Sequence, residues 1–263
     1  FANNIASLQQ LNEAFPMLLL FIVPAITMSA WADERKTGTD ELLFTLPASD
    51  GEIVLGKYLS VLAVYTVALV FSLSHVIVLF VLGSPDVGQL FANYVGYWCA
   101  GAALLSAGMF ASILTRSTPV AFVIGAVLCA IPVFSDRIGA VLPDFIGRHL
   151  SGNRLFQSMG LSEQLRDFGL GMIPLSGLLY FASMCIFMLY LNLVMAARRH
   201  WAGGTKGTQM GWQFAVRALC LAVALISVNV VFANFNARFD VTSEKLYSIS
   251  PTTKKVLADL PDD

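Results

Sequence analysis

The chain has 263 residues, 57% of them apolar and 13% charged, with a mean hydropathy of +0.71. Soluble domains carry nearer one quarter charged residues, so a soluble globular domain is excluded and the surplus apolar surface needs lipid. The net charge of −1 offers no basic field for nucleic acid and no acidic tail.

Six stretches of about 17 to 28 residues are long and apolar enough to cross a hydrocarbon core of roughly 30 Å. They are Phe15 to Trp31, Tyr58 to Leu82, Tyr94 to Leu114, Thr118 to Phe134, Leu170 to Ala197 and Phe214 to Phe232, and none contains Asp or Glu. The expected fold is therefore an all-α polytopic membrane protein. Pro24, Pro132 and Pro174 lie within or near the ends of spans, where neighbouring helices can satisfy the freed carbonyls. Small residues four apart, such as Ala102 with Ser106 and Ala121 with Gly125, permit close helix approach. The chain opens on Phe1, so a helix ahead of it would not be visible.

The first connection, Ala32 to Lys57, is the informative one. It runs from Asp33 through Pro47 and enters the next span as Ile53-Val54-Leu55-Gly56-Lys57. Thr39 can cap a short helix with Asp40 and Glu41 in its first turn and Leu42, Leu43 and Leu46 on one apolar face, ended by Pro47. Such a helix would lie parallel to the membrane with its leucines offered to a partner; the alternative is a solvated loop whose leucines pack on the helix ends. In the second span, His75 with Ser72 and Ser74 nearby is an ionisable candidate for function. Its plainer reading is a neutral imidazole donating to a carbonyl on a neighbouring helix.

Basic residues near span ends set the orientation. Arg35, Lys36 and Lys57, then Arg116, then Arg198, Arg199 and Lys206 share one face, whereas Gly83 to Asn93 has no Lys or Arg. The first set is expected in the cytoplasm, although Arg137, Arg148, Arg154 and Arg166 on the other side weaken the count. Ser135 to Gly169 is too polar to span, yet Ile138, Leu142, Phe145, Ile146 and Leu150 recur at helical spacing, so amphipathic helices along the outer interface are expected. Trp201 to Gly211, with four glycines, reads as a flexible connector between two units. Arg217, early in the last span, can snorkel to the headgroups. Beyond that span, Ser250 and Pro251 mark a helix start over Thr252 to Leu260.

Catalytic constellations are absent from the sequence. There is no H-E-x-x-H or G-x-S-x-G, and the glycines around Lys206 lack the spacing of a phosphate-wrapping loop. Cys99, Cys129, Cys185 and Cys220 fall in apolar stretches without a C-x-x-C pair, as small packing residues would. No metal site and no catalytic residue is expected.

Glu34 to Pro47, with the pattern E-x-x-x-G-T-x-E-x-L-x-x-x-P followed by I-V-L-G-K, resembles the coupling region of type-2 ABC transporter permeases, and most closely their gliding-motility-associated, GldF-like branch. The resemblance covers about residues 1 to 200 and implies a type-2 ABC exporter-like bundle with a further span ahead of Phe1. It implies that Glu34, Gly38, Thr39, Glu41, Leu42, Pro47, Gly56 and Lys57 form an element that docks on a cytoplasmic ABC ATPase dimer. That dimer would hold the ATP and Mg; no cofactor is expected in this chain. A second permease chain, identical or similar, would complete the membrane assembly, in a bacterial inner membrane.

From about Gly211 onward, Arg238-Phe239-Asp240-Val241-Thr242-Ser243-Glu244-Lys245-Leu246-Tyr247-Ser248-Ile249-Ser250-Pro251-Thr252-Thr253 is similar to the region after the first span of a GldG-like auxiliary subunit. By that likeness the chain divides into a permease domain at 1–200, a linker at 201–212, and a span with the start of an extracytoplasmic domain at 213–263. Two functions are then open: an ATP-driven permease, or a subunit relaying ATP-driven motion to the extracytoplasmic domain with nothing crossing. A secondary transporter would usually want intramembrane carboxylates for ion coupling, and the spans have none.

Overall fold

The structure, a computed structural model, describes residues 9–43, 47–83, 85–141, 160–198, 205–233 and 238–243. Among the described residues six helices are long and apolar enough to cross a membrane, and each of the six expected stretches lies largely within one of them. The first is broken into α1 (Gln9–Thr27) and α2 (Ser29–Thr37), and a single turn, α3 (Asp40–Leu43), follows. The second is α4 (Asp50–Ser72) continued by α5 (Ser74–Leu82). Then come α6 (Val87–Ile113) and α7 (Thr118–Val141). A short α8 (Leu161–Gly169) and strand β1 (Met172–Pro174) precede α9 (Leu175–Ala197), α10 (Thr205–Ala233) and strand β2 (Arg238–Asp240). Helices overrun the apolar windows because polar residues at their ends keep the backbone ladder while reaching toward water.

The bundle is built around α6. Its side chains from Ala100 to Met109 are all buried, and α1, α4, α7, α8 and α9 pack against it. Glycines let these neighbours in. A Cβ on Gly101 would overlap the Tyr65 ring from α4, one on Gly108 would overlap the Thr27 hydroxyl from α1, and one on Gly96 would stand 2.8 Å from the Phe168 ring of α8. At such close approach, side chains reach backbone carbonyls, whose second lone pair a helix leaves unused. Tyr65 Oη donates to the Tyr97 carbonyl at 2.7 Å, Tyr58 Oη to Ala102 at 3.1 Å, and Asn192 Nδ2 of α9 to Ser106 at 3.1 Å. By contrast α4, α5 and α10 expose most of their apolar side chains, among them Val67, Phe71, Val81, Leu219 and Val231.

Arg35, Lys57, Arg116 and Arg198 define a basic end of the bundle. At the far end, α8 lays Leu161, Leu165 and Phe168 into the core at 4- and 3-residue spacing, as an amphipathic interfacial helix should. Ser135 to Val141 continues the α7 span, and 142–159, with Leu142, Phe145, Ile146 and Leu150, lie outside the described residues. Of the expected connector at 201–212, residues 201–204 lie outside the described residues and α10 begins at Thr205. Arg217 consequently sits well inside α10, its guanidinium 5.5 Å from the Phe214 ring on the side toward the basic end. The helix start at Ser250 lies outside the described residues.

Replacing Gly101 by Ala should destabilise the bundle by about 1–3 kcal/mol through overpacking, despite the better helix propensity of Ala. Thermal unfolding in detergent against Gly56→Ala, where an added Cβ meets nothing within 4 Å, checks it; equal midpoints would contradict the close packing of α4 on α6.

Candidate functional site

The basic end gathers most of the residues singled out from the sequence, and it is organised by a break in the first span. Pro24 lies inside α1, and the helix is interrupted at Met28, whose amide still bonds the Pro24 carbonyl at 2.9 Å. At this break the Trp31 and Ala32 amides both donate to Ser112 Oγ of α6, at 3.0 and 3.1 Å, and that hydroxyl donates to the Met28 carbonyl at 2.9 Å. One serine of α6 thus braces the break, with Trp31 and Ala32 buried against it.

Lys57 staples α4 onto the same segment. A capping box between Ser49 and Glu52 starts α4 and fixes its first turn. Two turns on, Lys57 Nζ donates to the Ala30 carbonyl at 2.8 Å and to Glu34 Oε1 at 2.6 Å, and it lies 4.7 Å from the Trp31 ring centre. The ammonium is thus met by a carboxylate, a carbonyl and an aromatic face at once.

Gly38 ends α2 in the left-handed region at φ 74°, where its amide and that of Thr39 both return to the Glu34 carbonyl. The Thr39 hydroxyl stays with this turn, 2.9 Å from Thr37 Oγ1, rather than capping the following helix as expected from the sequence. The competing partner was local: α2 runs on to Thr37 and offers its own C-terminal groups. α3 is therefore a single described turn, closed by Leu43 N to the Thr39 carbonyl at 3.2 Å; residues 44–46 lie outside the described residues. Glu41 and Leu42 are exposed, Leu42 to 67%. Pro47 is exposed beyond the gap, and Gly56 faces outward from α4.

Residues the sequence did not single out hold this hook-shaped segment in place. The Arg35 guanidinium donates to the Ile113 carbonyl at the end of α6, where the helix dipole favours a cation, and lies 4.0 Å from Asp40. Asp33 Oδ1 accepts from Thr118 Oγ1 at 2.7 Å, at the start of α7. Trp31, Arg35, Asp40, Glu41, Ile113, Met195, Ala196 and Arg198 line a cavity of about 540 Å³ between α2, α3 and the ends of α6 and α9. A serine near the end of an otherwise apolar span, followed by Arg116, was the available signal for Ser112.

Of the predicted set, Glu34, Gly38, Thr39 and Lys57 therefore come together as an internal staple, Glu41 and Leu42 present a surface, and Pro47 and Gly56 stand apart. His75 is elsewhere. It is exposed at the α4–α5 break, and its Nδ1 is 3.1 Å from the Ser72 carbonyl of its own helix, not a neighbour's. Eighteen residues beyond Lys57, it stands roughly 27 Å along the helix, near the far margin of the membrane rather than at its centre.

Residues 3–238 match the family described as ABC-2 family transporter protein, and the chain belongs to that family. It is thus a multi-pass membrane permease subunit of an ABC transporter and not itself catalytic, and the family implies an ATPase partner. No curated protein and no solved structure matches significantly.

Ser112→Ala should remove a buried acceptor shared by two amides and cost about 1–3 kcal/mol. The loss should show as a lower unfolding midpoint and faster tryptic cleavage at Arg35 and Lys36; unchanged cleavage would mean the break is held by something other than this hydroxyl.

Proposed function

We propose that the α2–α3 segment is the lever through which a cytoplasmic ABC ATPase dimer drives this permease. The observation that carries the reading is the combination of a fixed base and an exposed tip. Ser112, Lys57, Thr118 and the Ile113 carbonyl hold the base to α4, α6 and α7, while Glu41 and Leu42 project from it unburied. A docked helix can switch packing only if it makes different contacts in two states, and a rigidly based tip passes such a difference into the bundle. ATP and Mg would belong to the partner. The exposed apolar faces of α4, α5 and α10 suit lipid and a second permease chain, in a bacterial inner membrane with the basic end inward. The gliding-associated, GldF-like assignment rests on the Glu34 to Pro47 pattern, and a GldG-like extracytoplasmic unit on the stretch from Arg238.

The second reading, in which motion is relayed across the membrane and nothing is translocated, has one observation in its favour. The chain after the last span is bonded to the same α6 at its far end, by Ser243 to Asp86.

Leu42→Asp and Glu41→Lys should each lower copurification of the ATPase by about tenfold or more, the scale of losing an interface anchor. Normal copurification together with normal ATP turnover in both variants would overturn the lever. Lipid or peptide uptake into sealed vesicles should respond to ATP under the first reading and stay flat under the second.

A further inference from the structure

The far end carries a contact that a mere span-to-span connection does not need. Beyond α10, β2 pairs antiparallel with β1, with Met172 opposite Asp240, Ile173 opposite Phe239 and Pro174 opposite Arg238. The Val241 amide continues the ladder to the Gly171 carbonyl at 3.1 Å. Arg238 Nε lies 3.3 Å from Asp167 of α8. Asp86, the N-cap of α6, accepts from the Gly88 and Gln89 amides at 2.8 and 3.1 Å, and through its other oxygen from the Ser243 amide at 3.0 Å. The Ser243 hydroxyl adds a bond of 3.0 Å. Burial pushes the Asp86 carboxyl up, but the bonds from Gln89, Ser243 and Gly88 outweigh it and hold the group below the usual carboxylate range.

Two glycines make room for this. A Cβ on Gly88 would overlap the Val241 carbonyl, and Gly171, at φ 84°, would place one 2.5 Å from Thr242 Cγ2. Glycine is therefore required at residue 88 by the segment 238–243 and not by α6, which would be better served there by alanine. α6 is 27 residues long, about 40 Å of continuous helix, and its other end holds the lever through Ser112 and the Ile113 carbonyl.

We propose that Arg238–Ser243 is a clamp that stays closed through the transport cycle, so that this segment moves with α6. This rests on the lever reading above for its driving force, but not for its closure. The clamp's occupant is the protein's own segment, recognised by a strand pair, a carboxylate–serine contact and an ion pair, with α6 as the rod between it and the lever.

The test uses the full chain in proteoliposomes, with the four native cysteines replaced by serine and the cross-strand pair Ile173→Cys with Phe239→Cys introduced. Residues directly opposite on antiparallel strands lie within disulfide reach. Mild oxidation should cross-link the pair rapidly, and Gly88→Ala should slow the reaction by about tenfold by opening the clamp while leaving α6 helical. Absence of cross-linking, or indifference to Gly88→Ala, overturns the clamp. With the copurified ATPase present, the rate should be the same with and without ATP, and the oxidised pair should turn over ATP at the rate of its reduced form. An ATP-dependent rate, or turnover lost on oxidation and restored by dithiothreitol, would mean the clamp must open and overturns the rigid link. The cross-linking arm needs no ATPase, so its failure speaks against the clamp alone, and failure to copurify an ATPase speaks against the lever alone.

Discussion

The constraint on which everything else depends is the close approach of five elements to the backbone of α6. Lipid supplies no hydrophobic force between helices, so association rests on dispersion and hydrogen bonds, both of which demand short distances. Gly96, Gly101 and Gly108 supply the distance, and the carbonyls of Tyr97, Ala102 and Ser106 supply acceptors for side chains on α4 and α9. Most other helices have one face on α6 and one outside, which is why α6 reads as small residues and the outer helices as large aliphatic ones.

The same helix organises both ends. At the basic end its last turn provides the Ser112 hydroxyl and the Ile113 carbonyl, the latter a group that a helix terminus leaves unsatisfied, and α2 takes up both. At the far end Asp86 and Gly88 provide a capping carboxylate and a gap. In each place a segment is tied back to α6 by hydrogen bonds that involve side chains, which are directional and fix register in a way apolar packing does not.

How much was legible in the sequence follows from the range of the interaction involved. The spans are written in local composition, and all six are recovered within helices of the structure. The turn at Gly38 is local too. The role of Thr39 was misread because two local partners competed, and α2's end won over α3's start. The staple of Glu34 to Lys57 joins residues 23 apart, and the bonds of Trp31 and Ala32 to Ser112 join residues about 80 apart, so neither leaves a periodic trace. The link from Asp86 to Ser243 spans 157 residues. Hydropathy places His75 within a span but not its partner, the Ser72 carbonyl at the α4–α5 break.

What motion this architecture allows can be argued from its notches. If α6 slid by one turn relative to its neighbours, Tyr65 would meet Leu105 or Tyr97 in place of Gly101, and Thr27 would meet Leu104 or Ser112 in place of Gly108. Both exchanges push bulk, or a serine already holding three bonds, into a space sized for hydrogen, and close-packed interiors do not absorb that. Axial ratcheting of α6 is therefore blocked. The break at Met28 could in principle let α2 hinge without moving the bundle, but Ser112 bridges that break and Arg35 binds the end of the same helix. Under the proposed lever, a push on the α3 tip would meet no soft joint before α6, and α6 would carry its glycine-docked neighbours, α4 among them, along as one rigid body.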